Sequence, residues 1–262
     1  MHTGTHNALT LHPAPEDTGI LFRRVDLGDE ATVPVECEYV SRTDRSTVLK
    51  NGAVEVGTVE HLLAALRGLE IDNAYIDIDG PEVPIADGSS RIFVELIDDA
   101  GLVEQEKERR ILTVSKPVWV RAGSRLAVAL PYDGFKVSFT FTNDHKHPVL
   151  GDLFAEFDVT PESFREQIAP ARTIGWLSEV ESLKAKGLTL GATMEMAVVL
   201  SKDDILTPMR FPDEPVRHKI LDVIGDLSVL GHMHAHIVAL RSGHALNAQL
   251  ARQVLSEYSS LR

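Results

Sequence analysis

Cysteine is nearly absent from this chain of 262 residues, in which Cys37 is the only one. A single cysteine excludes an internal disulfide and any metal site made of several cysteines. The eleven histidines must therefore supply the soft ligands of any metal ion. For Cys37 itself we expect a place in the core, because free cysteines are among the most often buried residues.

Long apolar runs and an excess of basic charge are missing as well. No apolar run approaches the roughly 18 residues of a membrane span, and the first ten residues lack the charged and apolar regions of a signal peptide. We therefore expect a cytoplasmic protein that does not span the membrane. The formal net charge of −13 argues against a broad nucleic-acid surface, while a local basic pocket for a small anion stays compatible with it.

The first part of the chain predicts a sheet followed by two helices. Alternating and β-branched runs separated by Pro, Asp and Gly are typical of short antiparallel strands. The dipeptide Asn51-Gly52 predicts a hairpin. A helix should follow, with Thr58 as its N-cap and Gly68 at its end, and then a strand over 74–78 and a second helix.

A polar stretch over 101–110 has the composition of a linker, and a second unit follows it. This unit predicts several strands, an apolar insert over 175–200 whose helical pattern ends near Gly187, a helix over 217–226, a strand over 235–243 and a last helix over 244–258. Both units thus run sheet, helix, strand, helix. The sequence predicts an α+β fold with two domains of similar topology, residues 1–107 and 108–262.

The helix over 217–226 carries the most informative spacing in the chain. Because His218 and Asp222 are four positions apart, they share one helical face, and Asp226 continues the same stripe. Asp226 lies roughly 12 Å along the axis from His218, so it is better placed to orient a neighbouring group than to share a metal. A catalytic zinc usually takes three protein ligands, so a third must come from elsewhere.

If the two units face each other, His61 is the simplest third ligand. Adjacent helical residues point about 100° apart, so Glu60 would address a water rather than the ion itself. The structural reading stays open, because most helical histidines bind no metal and the H-x-x-x-D pattern has low specificity. Three further histidines at alternate positions, His232, His234 and His236, are interpreted as structural.

Four long blocks resemble a known family: TVEHLLAALRGLEIDNAYIDIDGPEVPIADGSS, ARTIGWLSEVESLKAKGLTLGATMEMAVVL, RFPDEPVRHKILDVIGDL and SGHALNAQL. Together they resemble UDP-3-O-acyl-N-acetylglucosamine deacetylase, the zinc amidase of lipid A biosynthesis. The resemblance covers nearly the whole chain. It implies two facing sheet-and-helix domains, an active site at their interface, inserts that form an acyl-chain passage, and a small-molecule substrate, a UDP-linked acylated amino sugar.

The resemblance also implies roles for single residues. The zinc ligands would be His61, His218 and Asp222, and Glu60 would be the base that activates water. The tetrahedral oxyanion would be stabilised by zinc, by the hydroxyl of Thr173 and by the protonated His244, whose imidazole Asp226 would orient. The implied substrate-binding residues are Lys219, Ile174, Gly191, Leu188 and Met194.

Each of these assignments has a structural alternative. Thr173 could cap a following helix, Lys219 could be a solvated surface charge, and His244 could have a capping or surface role. The apolar residues of the insert could be ordinary core packing rather than a passage. Asp87, in the IADGSS loop, is interpreted as a structural carboxylate that accepts backbone hydrogen bonds.

Two departures from the family keep alternative functions open. The chain starts at Met1-His2-Thr3-Gly4, where the family has a preceding strand and a GxGLHTG turn, so we expect either that the first strand is missing or that the start codon is misplaced. Ile174 stands where an aromatic side chain is usual. The alternatives are a related zinc amidase with a different substrate and a non-catalytic binding protein that retains the fold.

Overall fold

The computed structural model describes residues 3–144 and 146–258. It has the mixed α+β composition expected from the sequence. The helices are α1 (Glu60–Gly68), α2 (Arg91–Ala100), α3 (Pro161–Ser163, continued by a π-turn over Phe164–Ile168), α4 (Val180–Ala185), α5 (Glu214–Leu227) and α6 (His244–Tyr258). Met1 and His2 belong to the segment in which the sequence departs from the family pattern, and they lie outside the described residues.

The strands follow the same alternation of sheet and helix. They are β1 (Leu9–Pro13), β2 (Ile20–Arg24), β3 (Thr32–Pro34), β4 (Val40–Arg42), β5 (Val48–Asn51), β6 (Val54–Gly57), β7 (Ala74–Ile78), β8 (Ile111–Thr113), β9 (Val118–Ala122), β10 (Arg125–Leu130), β11 (Phe135–Phe141), β12 (Leu153–Asp158), β13 (Thr173–Trp176), β14 (Ala197–Leu200) and β15 (His232–Leu240).

The strands before residue 101 form two sheets. One has the order β1-β7-β2-β3, in which β7 is antiparallel to β1 and parallel to β2. The other has the order β4-β5-β6, and the hairpin predicted around Asn51-Gly52 joins β5 to β6 through a turn at Gly52 and Ala53. Gly52 has a φ of +58°, a left-handed conformation that glycine adopts without steric cost.

The strands after residue 110 form a larger sheet and a small one. The larger sheet has the order β12-β11-β15-β10-β9, and β8 pairs in parallel with the start of β15. The small sheet is the parallel pair β13–β14, which the sequence did not predict. Residues 101–110 form neither helix nor strand, as expected of a linker.

All nine residues of helix α1 are buried, and its most extensive packing is against α5. It begins at Glu60, with Val59 in the N-cap position, so the prediction that Thr58 caps the helix was wrong. Thr58 has a φ of +56°, and its hydroxyl donates instead to Oε1 of the buried Glu82 over 2.9 Å. The end of the helix at Gly68 is as predicted.

Helices α1 and α5 cross in close contact, which brings the two parts of the candidate site together. The crossing depends on Gly225, because a Cβ atom there would lie 2.0 Å from the backbone oxygen of Glu60. One continuous core of buried apolar side chains surrounds the crossing and includes Leu62 from α1 and Ile220 from α5. Cys37 belongs to that core, as expected.

Candidate metal centre and surrounding cavity

A cavity of about 370 Å³ lies where the beginnings of α1, α6 and β13 approach the middle of α5. Side chains from all four elements line it, and the loop that precedes β5 contributes part of the wall. Eight of the residues singled out in the sequence meet here. Those that line the cavity are Glu60, His61, Thr173, Ile174, His218, Lys219, Asp222 and His244.

His61, His218 and Asp222 form one buried cluster at the bottom of this cavity. Each offers one ligand atom, and these atoms all lie within 4.8 Å of one another. Oδ1 of Asp222 lies 3.3 Å from Nε2 of His218 and 3.9 Å from Nε2 of His61. Among the described residues, this is the one group of three or more His, Cys, Asp or Glu side chains able to hold a metal ion.

The protonation states of the cluster suit a cation. Burial lowers the pKa of His61 to about 3, with a further contribution from the neighbouring His218. Burial also lowers the pKa of His218, whose Nδ1 donates to the backbone oxygen of Ala171 over 3.1 Å. Burial by itself raises the pKa of Asp222, but Lys219 and His218 outweigh it and hold that pKa well below its usual range. The cluster therefore presents two neutral imidazoles and a carboxylate.

Glu60 lies next to the cluster in a different electrostatic setting. Burial raises the pKa of Glu60 to about 7, against a lowering by His244. Its Oε2 accepts a hydrogen bond of 2.9 Å from the backbone N–H of Thr47. A carboxyl group with a pKa near neutrality can both take up and release a proton at the working pH, which general acid–base catalysis requires.

His244 and Asp226 form a second pair of ionisable groups beside the cavity. Nδ1 of His244 donates to Oδ2 of Asp226 over 2.9 Å. Burial by itself lowers the pKa of His244, but Asp226 outweighs it and raises that pKa to about 10. Asp226 also accepts hydrogen bonds from Thr47 and from the side chain of Asn247. The imidazole of His244 is thus positively charged at neutral pH.

The structure decides several of the alternatives left open by the sequence. Thr173 begins strand β13 and caps no helix, and its backbone N–H donates to the oxygen of Gly88 over 2.8 Å. Lys219 is not a free surface charge, because its Nζ donates to Oδ2 of Asp222 over 2.8 Å. Asp87 accepts from the backbone N–H of Ser89, as expected of a structural loop residue.

Part of the predicted substrate-binding set lies apart from the cavity. Ile174 and Lys219 line it, whereas Gly191, Leu188 and Met194 do not. Met194 is 43% exposed, which places it at the surface of the insert. The three alternating histidines of β15 join no metal cluster among the described residues, and Nδ1 of His232 lies 2.8 Å from Nη1 of Arg67.

Sequence reasoning missed Thr47, Arg45 and Arg125. Thr47 contacts two carboxylates of the site, and the two arginines line the cavity with Lys219. No periodicity or spacing marks them, since they come from a loop and from the start of a strand. The net charge of the protein is −13, yet Arg45, Arg125 and Lys219 give this cavity a local positive charge. Such a local basic pocket was compatible with the composition.

Comparison with known proteins now decides the family. Residues 1–256 match the family model described as UDP-3-O-acyl N-acetylglycosamine deacetylase. The chain belongs to this family. The resemblance noted in the sequence is therefore confirmed.

Relatives named UDP-3-O-acyl-N-acetylglucosamine deacetylase are similar over nearly the full chain. One from Myxococcus xanthus (strain DK1622) is 45% identical over 262 residues, covering 99% of this chain and 83% of the relative. One from Citrifermentans bemidjiense is 45% identical over 258 residues, covering 97% and 84%. One from Neisseria meningitidis serogroup C is 43% identical over 263 residues, covering 98% and 86%.

The residues of the cluster fit the metal that this family of metal-dependent hydrolases implies. Two imidazoles and a carboxylate are a donor set that zinc takes in catalytic sites with three protein ligands. The imidazole of His61 is buried, and its Nδ1 has no hydrogen-bond partner in the described part of the chain.

Among the described residues, no helix combines the length and apolarity that a membrane crossing needs.

Proposed function

We propose that this protein hydrolyses the N-acetyl amide of UDP-3-O-(3-hydroxyacyl)-N-acetylglucosamine in the cytoplasm. Water and the amide give acetate and UDP-3-O-acyl-glucosamine, the committed step of lipid A synthesis. The observation that carries the proposal is the buried cluster of His61, His218 and Asp222 beside Glu60, in a chain of the deacetylase family.

The three residues of the cluster would hold a zinc ion. When bound, zinc supplies Lewis acidity, which polarises an amide carbonyl and makes water easier to deprotonate. Glu60 lies outside the set of ligands and keeps its carboxylate for proton transfer. Its pKa of about 7 suits a base that takes a proton from water at neutral pH.

The negative charge that develops on the carbonyl oxygen would be stabilised by donors of the protein. Thr173, with its hydroxyl, and His244, with its imidazolium, both line the cavity. Asp226 keeps His244 charged and holds its ring through Nδ1, so that Nε2 is available as the donor. Donors fixed in place before the reaction stabilise the transition state more than the ground state. Glu60 or His244 then protonates the leaving amine.

The remaining substrate-binding residues belong to the same proposal. Lys219, Arg45 and Arg125 line the cavity and suit a substrate with a diphosphate. Ile174 would contact the sugar side. The insert with Leu188, Gly191 and Met194 would form the passage for the acyl chain, and the exposed side chains of Leu190 and Met194 support this.

We infer that the site lies between two facing domains, residues 1–107 and 108–262. The first would contribute Glu60 and His61, and the second the remaining groups of the mechanism. The separate sheets before and after residues 101–110 support this division, as does the repeated order of sheet, helix, strand, helix in the two parts.

The test is acetate release from UDP-3-O-acyl-N-acetylglucosamine, offered with a series of acyl chain lengths. The zinc-loaded protein should release acetate, a chelator should abolish release, and added zinc should restore it. His218→Ala should be inactive. His12→Ala, which removes a half-exposed histidine of β1, should match the wild type.

A folded, zinc-loaded sample that releases no acetate at any chain length would contradict the proposal. Release from another N-acetylated sugar would then favour a related zinc amidase. The observation that favours this alternative is Ile174, which lines the cavity where the family usually has an aromatic side chain. Binding of the UDP-sugar without release of acetate would favour a non-catalytic protein that retains the fold.

A further inference from the structure

Thr47 lies between the two carboxylates that the mechanism uses in different roles. Its backbone N–H donates to Oε2 of Glu60 over 2.9 Å, and its side-chain hydroxyl donates to Oδ1 of Asp226 over 2.6 Å. All three residues are buried, and Thr47 is only 2% exposed. A single residue of the loop before β5 therefore connects the candidate base with the group that orients His244.

The position of Thr47 is fixed by the backbone on both sides. Its carbonyl oxygen accepts a hydrogen bond of 3.3 Å from the N–H of Val59, the residue before Glu60. The next residue, Val48, begins strand β5 and pairs with Gly57 on β6. The hydroxyl is thus presented to Asp226 from a rigid hairpin.

Asp226 has three donors among the described residues, and they come from two directions. Nδ1 of His244 and Nδ2 of Asn247 both reach Oδ2 from α6, at 2.9 and 2.8 Å. His244 also approaches Oδ1, at 3.1 Å. The hydroxyl of Thr47, on the segment before β5, donates to Oδ1 over the shorter distance of 2.6 Å. Without it, the carboxylate would be held only from the α6 side and could rotate about its bond to Cβ.

We propose that Thr47 is a positioning residue of the deacetylation reaction, which holds Asp226 in the plane that presents His244 to the reacting carbonyl. The proposal rests on the proposed function. Thr47 does not line the cavity, so it acts through Asp226 and not through the substrate. Its backbone N–H also donates to the carboxylate of Glu60, the candidate base. Thr47 therefore contacts both Glu60 and Asp226.

Two substitutions separate the hydroxyl from the rest of the residue. Thr47→Val keeps the shape and the backbone donor to Glu60 but loses the donor to Asp226, whereas Thr47→Ser keeps both donors. We expect kcat to fall about tenfold or more in Thr47→Val, with KM within about twofold of the wild type, because a hydrogen bond to a charged group is lost. Thr47→Ser should retain kcat within about threefold. Ser138→Ala, which removes a buried hydroxyl from β11 outside the cavity lining, should leave kcat unchanged.

A second readout uses the metal-free protein and needs no activity. The imidazole N–H signals of His244, assigned with His244→Asn, should shift in ¹H–¹⁵N spectra of Thr47→Val and stay in place in Thr47→Ser. Equal kcat in Thr47→Val and wild type, or an equal loss in the valine and serine variants with unshifted His244 signals, would overturn the inference. If the wild type itself releases no acetate, the proposed function fails first, and the His244 spectra alone then decide whether Thr47 positions the pair.

Discussion

The ion pair between His244 and Asp226 gives the sharpest prediction about pH. Replacing Asp226 by Asn keeps the shape of the side chain but removes the negative charge that raises the pKa of His244 to about 10. With that charge gone, we expect the pKa of His244 to fall toward its ordinary value of about 6.5. At pH 8.5 the protonated fraction would then drop from about 97% to about 1%, roughly a hundredfold.

The assay is kcat for acetate release between pH 6 and pH 10. In the wild type, the alkaline decline should lie close to the pKa of His244, and in Asp226→Asn it should move to lower pH. At pH 8.5 the variant should lose activity about a hundredfold, and the difference should narrow toward pH 6. The matched control is Asp213→Asn, which removes a carboxylate paired with Arg217 at the start of the same helix, away from the cavity.

The same pair has a linked effect on stability. The folded-state pKa of His244 lies above its unfolded value, so the contribution to stability is fully present below about pH 6.5 and is lost as the pH rises through about 10. Urea unfolding at several pH values should therefore show a smaller alkaline loss of stability in Asp226→Asn.

The kcat assay can refute the assignment of His244 as the charged donor. It does so if the alkaline decline of kcat lies at the same pH in the wild type and in Asp226→Asn.

Three further predictions test other parts of the site. Glu60→Gln should lower kcat by about 10²–10⁴-fold while zinc content stays at the wild-type level, because a base and not a ligand is lost; loss of zinc would contradict this. His61→Ala and His218→Ala should each weaken zinc binding by more than about 100-fold, measured by titration against a competing chelator. Loss of a residue that only hydrogen-bonds a metal ligand typically costs about 10–100-fold. Gly225→Ala should destabilise the fold by about 1–3 kcal/mol in urea unfolding, since its Cβ would meet the backbone oxygen of Glu60, whereas Gly151→Ala, which faces open space, should have little effect.

Local patterns in the sequence predicted the elements that carry the candidate metal ligands. The four-residue spacing of His218 and Asp222 placed both on one face of α5, and the Asn51-Gly52 turn predicted the β5–β6 hairpin. These predictions succeeded because helical periodicity and turn chemistry depend on neighbouring residues. The sequence also placed Asp226 too far along α5 to join the cluster, and it lies beside His244 instead.

Other features depend on contacts between residues distant in the chain, and no local pattern marks them. Thr47 reaches Asp226 across a separation of 179 positions, so only the folded chain reveals its place. Thr58 was wrongly predicted as a helix cap because the partner that draws its hydroxyl away, Glu82, lies on another segment. The parallel pairing of β13 with β14, which fixes Thr173 at the cavity, was missed for the same reason.

The proposed mechanism depends on a cation held by His61, His218 and Asp222, with Glu60 beside it and unbound. The most direct test is anomalous diffraction from crystals of the zinc-loaded protein. We expect a single strong peak at about 2.0–2.2 Å from one atom of each of the three ligands, with no bond to Glu60. A peak elsewhere in the molecule, or zinc bound by the Glu60 carboxylate in place of one of the three, would contradict it.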